Sequence, residues 1–283
     1  MPLSPRTLVS ADELKRLLAG PVPAIVVDCG FELTAPSDGE RQWREAHLPG
    51  SVYLHLDRDL AGAKTGTNGR HPLPSREAFA ATLGRIGVTP QRPVVALDRQ
   101  GGPYAARLWW MLRWMGHADA AVLDGGLAAW TAAGGALDSV EPAAPRAPPY
   151  PARESLVATL DADALLASLG RVRLVDARAG ERFRGEVEPL DVVAGHIPGA
   201  SHRLFKDNLG ADGRFKSAQV LKTEFTLLLG AVDPSGTVHQ CGSGVTACHN
   251  LLAMEHAGLV GSRLYPGSWS EWSSDPSRPV ATG

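Results

Sequence analysis

The sequence predicts an α/β fold made of two similar halves, each with a mostly parallel sheet flanked by helices. Three observations predict it. Short apolar runs alternate with longer helical stretches, the same succession of motifs occurs twice, and a Pro- and Ala-rich segment separates the two copies. Such alternation is typical of parallel sheets covered by helices, and the duplication indicates one sheet in each half.

The first half presents its elements in a regular order. An apolar strand, AIVVD, ends at Asp28, and an HLPGS turn begins at His47. A helical stretch opens at Ser75, and a second strand, VVAL, precedes Asp98. A glycine-rich turn, a further helix and a short strand follow, and the segment GGLAAW begins at Gly125. Serine at the start of a helical stretch is a typical N-cap.

The second half repeats this order. The strand VRLVD ends at Asp176, HIPGA begins at His196, a helical stretch opens at Ser217, the strand TVHQ precedes Cys241, and GSWSEW begins at Gly267. The strand-to-turn separations are 19 and 20 residues in the two halves, and the separations from the second strand to the tryptophan segment are 27 and 26. This agreement indicates an internal duplication.

The segment between the halves sets the expected domain boundaries. The run ALDSVEPAAPRAPPYPARESL is rich in Pro and Ala, which favours an extended, semi-rigid linker. We expect an N-terminal domain over 1–137, a linker over 138–156 and a C-terminal domain over 157–283. The alternative, one long loop within a single sheet, is disfavoured because long unstructured loops are uncommon in compact domains.

Length and composition exclude several classes of protein. The 283 residues are 44% apolar, which suffices for two cores, and 28 basic against 30 acidic side chains give a formal net charge of −2. Blocks of about five or six like charges are missing, so we expect no nucleic-acid partner. Neither an apolar run of about eighteen residues nor a signal-peptide pattern occurs, so we expect a cytoplasmic protein without a membrane partner.

The loop CGSGVTA is the strongest candidate for chemistry. Cys241 follows an apolar strand, Gly242 and Gly244 permit a tight turn, and a helix comes next. In a strand, loop and helix of this kind, consecutive amides and the positive helix end converge on the loop, where they stabilise an anionic sulfur. The non-catalytic alternative is that Cys241 is a buried, unreactive cysteine at a strand end. Its counterpart in the first half is Asp98, which offers no thiol.

The other cysteines favour a structural interpretation. Three cysteines are too few, and odd in number, for a disulfide scaffold, which indicates reduced thiols. Cys29 follows a buried strand, and Cys248 lies two turns after Cys241 on the predicted helix. Cys248 and His249 near Cys241 lack the second ligand pair of a zinc site, so we expect no metal.

Taken together, the motifs resemble those of the tandem-domain thiosulfate and 3-mercaptopyruvate sulfurtransferases of the rhodanese superfamily. The resemblance extends from the VVD ending at Asp28 to the GSWSEW ending at Trp272, and its most specific parts are CGSGVTA from Cys241, DGG-x-x-x-W from Asp124 and DAR from Asp176. It implies two tandem rhodanese-like domains, no cofactor, and a sulfur-carrying cysteine in the second domain only.

The resemblance also implies which loop residues bind the donor. The thiosulfate enzymes usually have Arg and Lys directly after the nucleophile, whereas the mercaptopyruvate enzymes usually have Gly and Ser, as this chain does. Substrate-binding roles at the loop amides are implied for Gly242, Gly244, Val245 and Thr246.

Arg182, in ERFRG, matches the family arginine that grips the anionic end of the donor. Without the resemblance, the alternative for Arg182 is a surface helix charge. A second family arginine usually follows nine residues later, but Asp191 stands there. Arg184 or an arginine of the other half could compensate.

The same resemblance implies a Ser-His-Asp arrangement made of Ser243, His71 in GRHPLP and Asp57 in HLDRD. A hydroxyl backed by histidine relays protons in other enzymes, and here it would serve the departing product. Taken alone, a histidine such as His71 is more often a hydrogen-bonded turn histidine than a catalytic one.

Three competing functions are disfavoured. A Cys-x5-Arg phosphatase of the same fold needs an arginine at position 247, which is Ala247. The G-x-G-x-x-A pattern from Gly242 could indicate dinucleotide binding, but it follows a late strand and begins after a cysteine. A non-catalytic module would not need the intact Cys-Gly-Ser-Gly run.

We therefore expect a sulfurtransferase that moves sulfur from a small anionic donor, 3-mercaptopyruvate or thiosulfate, through a Cys241 persulfide. The expected acceptor is cyanide or a thiol, such as a small thiol or a thioredoxin-like protein. The alternatives are a thiosulfate-preferring enzyme or a non-catalytic sulfur-binding module of the same fold.

Overall fold

The computed structural model describes residues 7–143 and 146–283, which fall into two compact units. The first unit contains the described residues of Met1–Gly62 and Pro74–Leu156, together with Ala211–Arg214. The second contains Ala63–Leu73, Val157–Gly210 and Phe215–Gly283. The units follow the two sequence halves except for two short segments, of which Ala63–Leu73 matters most because it brings Arg70 and His71 into the second unit.

The first unit is built on a five-stranded, wholly parallel sheet with strand order β1-β5-β4-β2-β3. Its elements are β1 (Leu8–Val9), α1 (Ala11–Leu18), β2 (Ile25–Asp28), α2 (Asp38–Glu45), β3 (Val52–Tyr53), α3 (Leu56–Asp59), α4 (Arg76–Arg85), β4 (Val94–Leu97), α5 (Pro103–Trp114), β5 (Ala120–Leu123) and α6 (Gly126–Ala132).

The second unit has the same arrangement, a five-stranded parallel sheet in the order β6-β10-β9-β7-β8. Its elements are β6 (Ala158–Thr159), α7 (Ala162–Ser168), β7 (Arg173–Asp176), α8 (Gly180–Phe183), β8 (Ser201–His202), a 3₁₀ turn (Phe205–Asn208), α9 (Ala218–Leu229), a 3₁₀ turn (Pro234–Gly236), β9 (Thr237–Gln240), α10 (Thr246–His256), β10 (Arg263–Leu264) and α11 (Ser268–Trp272).

The equivalent strand orders confirm the predicted fold class and the duplication. The four strands recognised in the sequence are β2, β4, β7 and β9, and every residue of β2, β4 and β9 is buried. Burial on both faces explains why they read as continuous apolar runs rather than as alternating patterns. The central position of β4 and β9 in their sheets places the following loops, which begin at Asp98 and Cys241, at the carboxyl edge.

Helix starts also follow the sequence prediction. The hydroxyl of Ser75 accepts a hydrogen bond from the amide of Ala78 at 3.1 Å, and Ser217 caps α9 in the same way through Val220 at 3.4 Å. Such caps satisfy amides that the first helical turn leaves without a partner.

The two His-x-Pro-Gly turns have equivalent roles. His47 stacks on Trp43 and its Nδ1 lies 2.7 Å from the Trp43 carbonyl oxygen, while His196 stacks on Phe183 with its Nδ1 at 2.8 Å from that carbonyl. Each histidine therefore ties the turn to the preceding helix.

The Pro- and Ala-rich segment runs over the first unit. In the part of 138–156 that the structure describes there is no helix or strand, and the amides of Ala147 and Tyr150 donate to the carbonyls of Gly84 and Ala80. None of the helices described is both long and apolar enough to cross a lipid bilayer.

Candidate active site

Cys241 lies directly after β9, in the loop that leads into α10, and its side chain is buried. Its amide donates to Oγ of Ser268 at 3.1 Å, and its carbonyl accepts from the amide of Trp269 at 2.9 Å. The carbonyl of Gly242 accepts from the amide of Ser270, also at 2.9 Å. The backbone of the loop is thus held on one side by the first turn of α11.

Ser268 holds the Cys241 loop, although nothing in the sequence singled it out. Its φ of 55° makes it the one non-glycine residue with positive φ among those the structure describes. Its hydroxyl accepts from Cys241 and donates to the carbonyl of Tyr265 at 3.0 Å. A strained backbone of this kind persists where surrounding contacts determine it. The repeated GSWSEW motif marks the segment, but no feature of the motif distinguishes this serine.

Different physical constraints disfavour a side chain at the two loop glycines. Gly244 has a φ of +76°, and a Cβ atom there would collide with the carbonyl of Pro266, so the turn itself requires glycine. Gly242 lies outside the left-handed region. A Cβ atom at Gly242 would lie 2.7 Å from Nη2 of Arg70 and 3.4 Å from Nη1 of Arg182. Two guanidinium groups therefore lie over the residue next to Cys241.

The remaining loop residues lead into the helix as predicted. Val245 is buried at the N-cap of α10 and Thr246 is the first helical residue. The amide of Cys248 donates to the Val245 carbonyl at 3.0 Å, and its thiol donates to the Gly244 carbonyl at 3.4 Å. Cys248 therefore helps to hold the turn.

Ser243 and His71 lie together although they are far apart in sequence. The Ser243 hydroxyl and Nδ1 of His71 are hydrogen-bonded at 2.7 Å, and both residues are buried. The segment that carries His71 is anchored to α11, because the amide of Arg70 donates to Oγ of Ser270 at 3.0 Å. Asp57, the third predicted member, lies in α3 of the first unit, and its role behind His71 stays a prediction.

The guanidinium of Arg182 lies on α8 among carboxylates. It donates from Nε and Nη2 to Glu188 at 2.7 to 3.2 Å, and from Nη2 to Oδ2 of Asp191 at 3.0 Å. Nη1 of Arg70 donates to the other oxygen of Asp191. Arg184, one of the residues considered as a replacement for the second arginine, is exposed and pairs with Glu186. The second guanidinium beside the loop is that of Arg70.

These side chains form a continuous chain of alternating charges. Arg178 donates to Asp176 at 2.7 Å and to Glu188 at 3.4 Å, and Glu188 also accepts from Arg182. The three carboxylates are at most 4% exposed. In order, the chain is Asp176, Arg178, Glu188, Arg182, Asp191 and Arg70. Removing one member of a buried ion pair leaves the charge of the other member without a counter-charge, which is energetically costly. Each arginine is therefore held in place by the carboxylates beside it.

The equivalent loop of the first unit shows what this geometry does to an anion. The buried carboxylate of Asp98 accepts four backbone hydrogen bonds at 2.8 to 3.0 Å. The donors are the amides of Gln100, Gly102, Tyr104 and Ala105. Burial raises the pKa of Asp98, and the four amides oppose that shift. The loop after β4 is therefore an anion cradle filled by its own side chain.

Cys29 has an environment that disfavours a thiolate. Burial, and secondly the charges of Asp28 and Asp98, raise the pKa of the Cys29 thiol well above its ordinary value. Over residues 7–143 and 146–283, no group of three or more His, Cys, Asp or Glu side chains is placed to hold a metal ion.

Comparison with known proteins agrees with the duplicated architecture. The family model described as "Rhodanese-like domain" matches residues 10–133 and 161–275. The "Probable 3-mercaptopyruvate sulfurtransferase" of Pseudomonas aeruginosa is 47% identical over 285 residues, covering 99% of this chain and all of that protein. The "Thiosulfate sulfurtransferase" of Gallus gallus is 33% identical over 277 residues, covering 94% of this chain and 93% of that protein.

Among solved structures, the 3-mercaptopyruvate sulfurtransferase from Leishmania major superposes with a TM-score of 0.85 at 31% identity, covering 96% of this chain and 76% of that one. The domain matches, the full-length relatives and the two equivalent sheets point to one conclusion. This chain belongs to the rhodanese family, as a sulfurtransferase with two tandem rhodanese-like domains.

Proposed function

We propose that Cys241 carries sulfur as a persulfide, with 3-mercaptopyruvate as the preferred donor. The observation that carries the choice of donor is the 2.7 Å hydrogen bond between Ser243 and His71, two residues from the nucleophile. The two donors differ in the leaving group that sulfur transfer releases.

Sulfur transfer from 3-mercaptopyruvate requires a proton. The Cys241 thiolate attacks the donor sulfur, a sulfur–sulfur bond forms, the carbon–sulfur bond breaks, and its electron pair stays on carbon as the enolate of pyruvate. The persulfide then loses its proton and the enolate carbon gains one, leaving an anionic persulfide and pyruvate. Ser243 and His71 form the proton relay between them.

Sulfur transfer from thiosulfate does not require a proton. Attack on its outer sulfur releases sulfite, which leaves with the electron pair of the broken sulfur–sulfur bond and needs no proton. A buried hydroxyl hydrogen-bonded to histidine next to the nucleophile therefore supports the mercaptopyruvate reaction.

The loop stabilises the persulfide as the first-unit loop stabilises Asp98. Both loops follow the equivalent central strand and lead into a helix, and in the first unit four amides converge on one carboxylate. We assign the same cradle role to the amides of the Cys241 loop, at Gly242, Gly244, Val245 and Thr246. Arg182 binds the donor carboxylate.

In the second half-reaction an acceptor thiolate attacks the outer persulfide sulfur, and the Cys241 thiolate is released. A small thiol, a thioredoxin-like protein or cyanide would serve as the acceptor. We place the protein in the cytoplasm, where reduced thiols are available.

The test is intact-mass spectrometry after incubation with 3-mercaptopyruvate. We expect a gain of about 32 Da, one sulfur atom, which thiol treatment removes. Cys29→Ala, in the other unit, should gain the same mass, and Cys241→Ser should not. A wild-type protein that stays unmodified, or a Cys241→Ser protein that is modified equally, would refute the persulfide.

The donor choice needs a second measurement. In Ser243→Ala, single-turnover loading from 3-mercaptopyruvate should slow by about 100-fold, the usual worth of a general acid–base group, while loading from thiosulfate changes little. Equal losses for both donors would show that Ser243 does not act through proton transfer.

A further inference from the structure

We propose that Arg70 is the second donor-binding arginine of this site and that Asp191 sets its preference for singly charged donors over doubly charged ones. The proposal rests on the persulfide function of Cys241 and adds the chemical rule by which the site selects its donor. It assigns a binding role to Ala63–Leu73, a segment that comes from the first sequence half but packs in the second unit.

The position of Arg70 is determined by its backbone. Its amide donates to Oγ of Ser270, and Ser270 donates its own amide to the carbonyl of Gly242. Gly69 has a φ of +85°, and a Cβ atom there would lie 2.8 Å from the carbonyl of Gly267. The segment is thus packed against the same turn that holds the Cys241 loop, so the Arg70 side chain starts from a fixed base.

Arg70 and Arg182 keep hydrogen-bonding capacity on the side of the loop. The Nη1 atom of Arg70 and the Nη2 atom of Arg182 are used by Asp191. Within the described part of the chain, Nη2 of Arg70 and Nη1 of Arg182 have no hydrogen-bond partner, and Nε of Arg70 is buried without one. Nη2 of Arg70 and Nη1 of Arg182 are the two atoms that lie nearest to a Cβ position at Gly242. Two guanidinium groups with such N–H groups match an anionic oxygen pair such as a carboxylate.

Asp191 joins the two arginines with its two oxygens and cancels one of their charges. The alternating chain from Asp176 to Arg70 contains three arginines and three carboxylates, so its formal charge is zero. The site therefore binds an anion through oriented N–H groups rather than through excess positive charge. A donor with one negative charge is matched by such a site, and a second negative charge, as in thiosulfate, has no counter-charge there.

Asp191→Asn is the direct test of the charge rule. The change keeps the size of the side chain and raises the charge of the network from zero to +1. We expect the ratio of kcat/KM for thiosulfate to kcat/KM for 3-mercaptopyruvate to rise about tenfold, the effect of one additional charge at short range and intermediate dielectric. Glu186→Gln is the matched control, since it removes an exposed carboxylate from the same segment, and its ratio should equal that of wild type.

Arg70→Gln tests the binding role. We expect KM for 3-mercaptopyruvate to rise about 10- to 100-fold, the worth of one charge-assisted pair, while Arg184→Ala leaves it unchanged. In Arg70→Gln/Asp191→Asn the network is neutral again. The donor ratio should then return to the wild-type value while both KM values stay high, which separates charge from hydrogen bonding.

A direct binding measurement distinguishes a variant that has lost donor binding from one that is misfolded. In a Cys241→Ser background, calorimetry with pyruvate should show weaker binding when Arg70 is replaced, at an unchanged thermal midpoint. If wild-type Cys241 takes up sulfur but Arg70→Gln keeps its KM and Asp191→Asn keeps its donor ratio, this proposal is wrong and the persulfide function stands. If wild-type Cys241 takes up no sulfur, both are wrong.

Discussion

Gly242→Ala gives the sharpest test of the idea that two guanidinium groups next to the nucleophile bind the donor. The residue lies outside the left-handed region, so alanine is compatible with the backbone. Its Cβ atom would lie 2.7 Å from Nη2 of Arg70 and 3.4 Å from Nη1 of Arg182. Since ordinary carbon contacts begin near ~3.5 Å, the Arg70 guanidinium must move by roughly 0.8 Å.

The obstructing atom is the end of a flexible side chain, so the fold should survive the substitution. The geometry of the site should not, because a misplacement of about 1 Å can cost about 100-fold in rate. We expect kcat/KM for 3-mercaptopyruvate to fall about 10- to 100-fold, which corresponds to about 1.4 to 2.7 kcal/mol. The thermal midpoint should stay within about 2 °C of wild type.

The assay is steady-state pyruvate formation with saturating acceptor, and the control is Gly20→Ala, where a Cβ atom meets only ordinary contacts at 3.5 and 3.6 Å. The effect should depend on Arg70. In an Arg70→Ala background, Gly242→Ala should therefore cost much less than it does alone. A stable Gly242→Ala enzyme with kcat/KM within about twofold of wild type would refute the reasoning, and so would fully additive losses in the double variant.

Three further predictions concern stability. Gly244→Ala should lower the unfolding free energy by about 2 to 4 kcal/mol in urea titrations, because it combines positive φ with a collision at the Pro266 carbonyl; an unchanged midpoint would contradict this. Asp98→Ala should cost at least about 3 kcal/mol, because four backbone amides lose the buried carboxylate that accepts from them, whereas exposed Asp12→Ala should cost almost nothing. Burial lowers the pKa of His239 to about 3. Below pH ~6.5 the unfolded chain therefore binds a proton that the folded chain refuses, and wild type loses about 1.4 kcal/mol per pH unit. Between pH 7.5 and 5, wild type should lose about 2 kcal/mol more than His239→Leu, and parallel stability curves would exclude this linkage.

Patterns along the chain were enough to predict the strands, the duplication and the nucleophile loop. β2, β4, β7 and β9 are short buried runs between polar turns, and their hydrophobicity is a local property that the sequence displays directly. The difference between Cys241 and Asp98 at equivalent positions is also visible in the sequence alone. The pairing of Ser243 with His71 came from the family resemblance, since nothing local connects residues 172 positions apart.

The electrostatics of the site could not be predicted in the same way. The sequence shows Asp191 where the family resemblance leads one to expect an arginine, and this suggested an incomplete binding site. The structure places Arg70 beside Gly242, with Asp191 between Arg70 and Arg182. His71 was recognised in the GRHPLP motif through the family resemblance. Arg70 stands in the same motif, but no sequence pattern distinguishes it from any other charged residue next to a turn.

What the sequence by itself determined is the α/β class, the two repeated units, and the one unit with a thiol at the end of a central strand. These follow from hydrophobic periodicity, turn residues and identity at equivalent positions, all of which are local. Only the tertiary structure decided which side chains surround that thiol. Ala63–Leu73 leaves its own half and packs on the α11 turn, and Ser268 takes up a strained φ. The packing of Ala63–Leu73 depends on contacts between residues 200 positions apart, such as Arg70 with Ser270, and Ser268 contacts Cys241, 27 positions away. Long-range packing of that kind leaves no periodic trace in the chain.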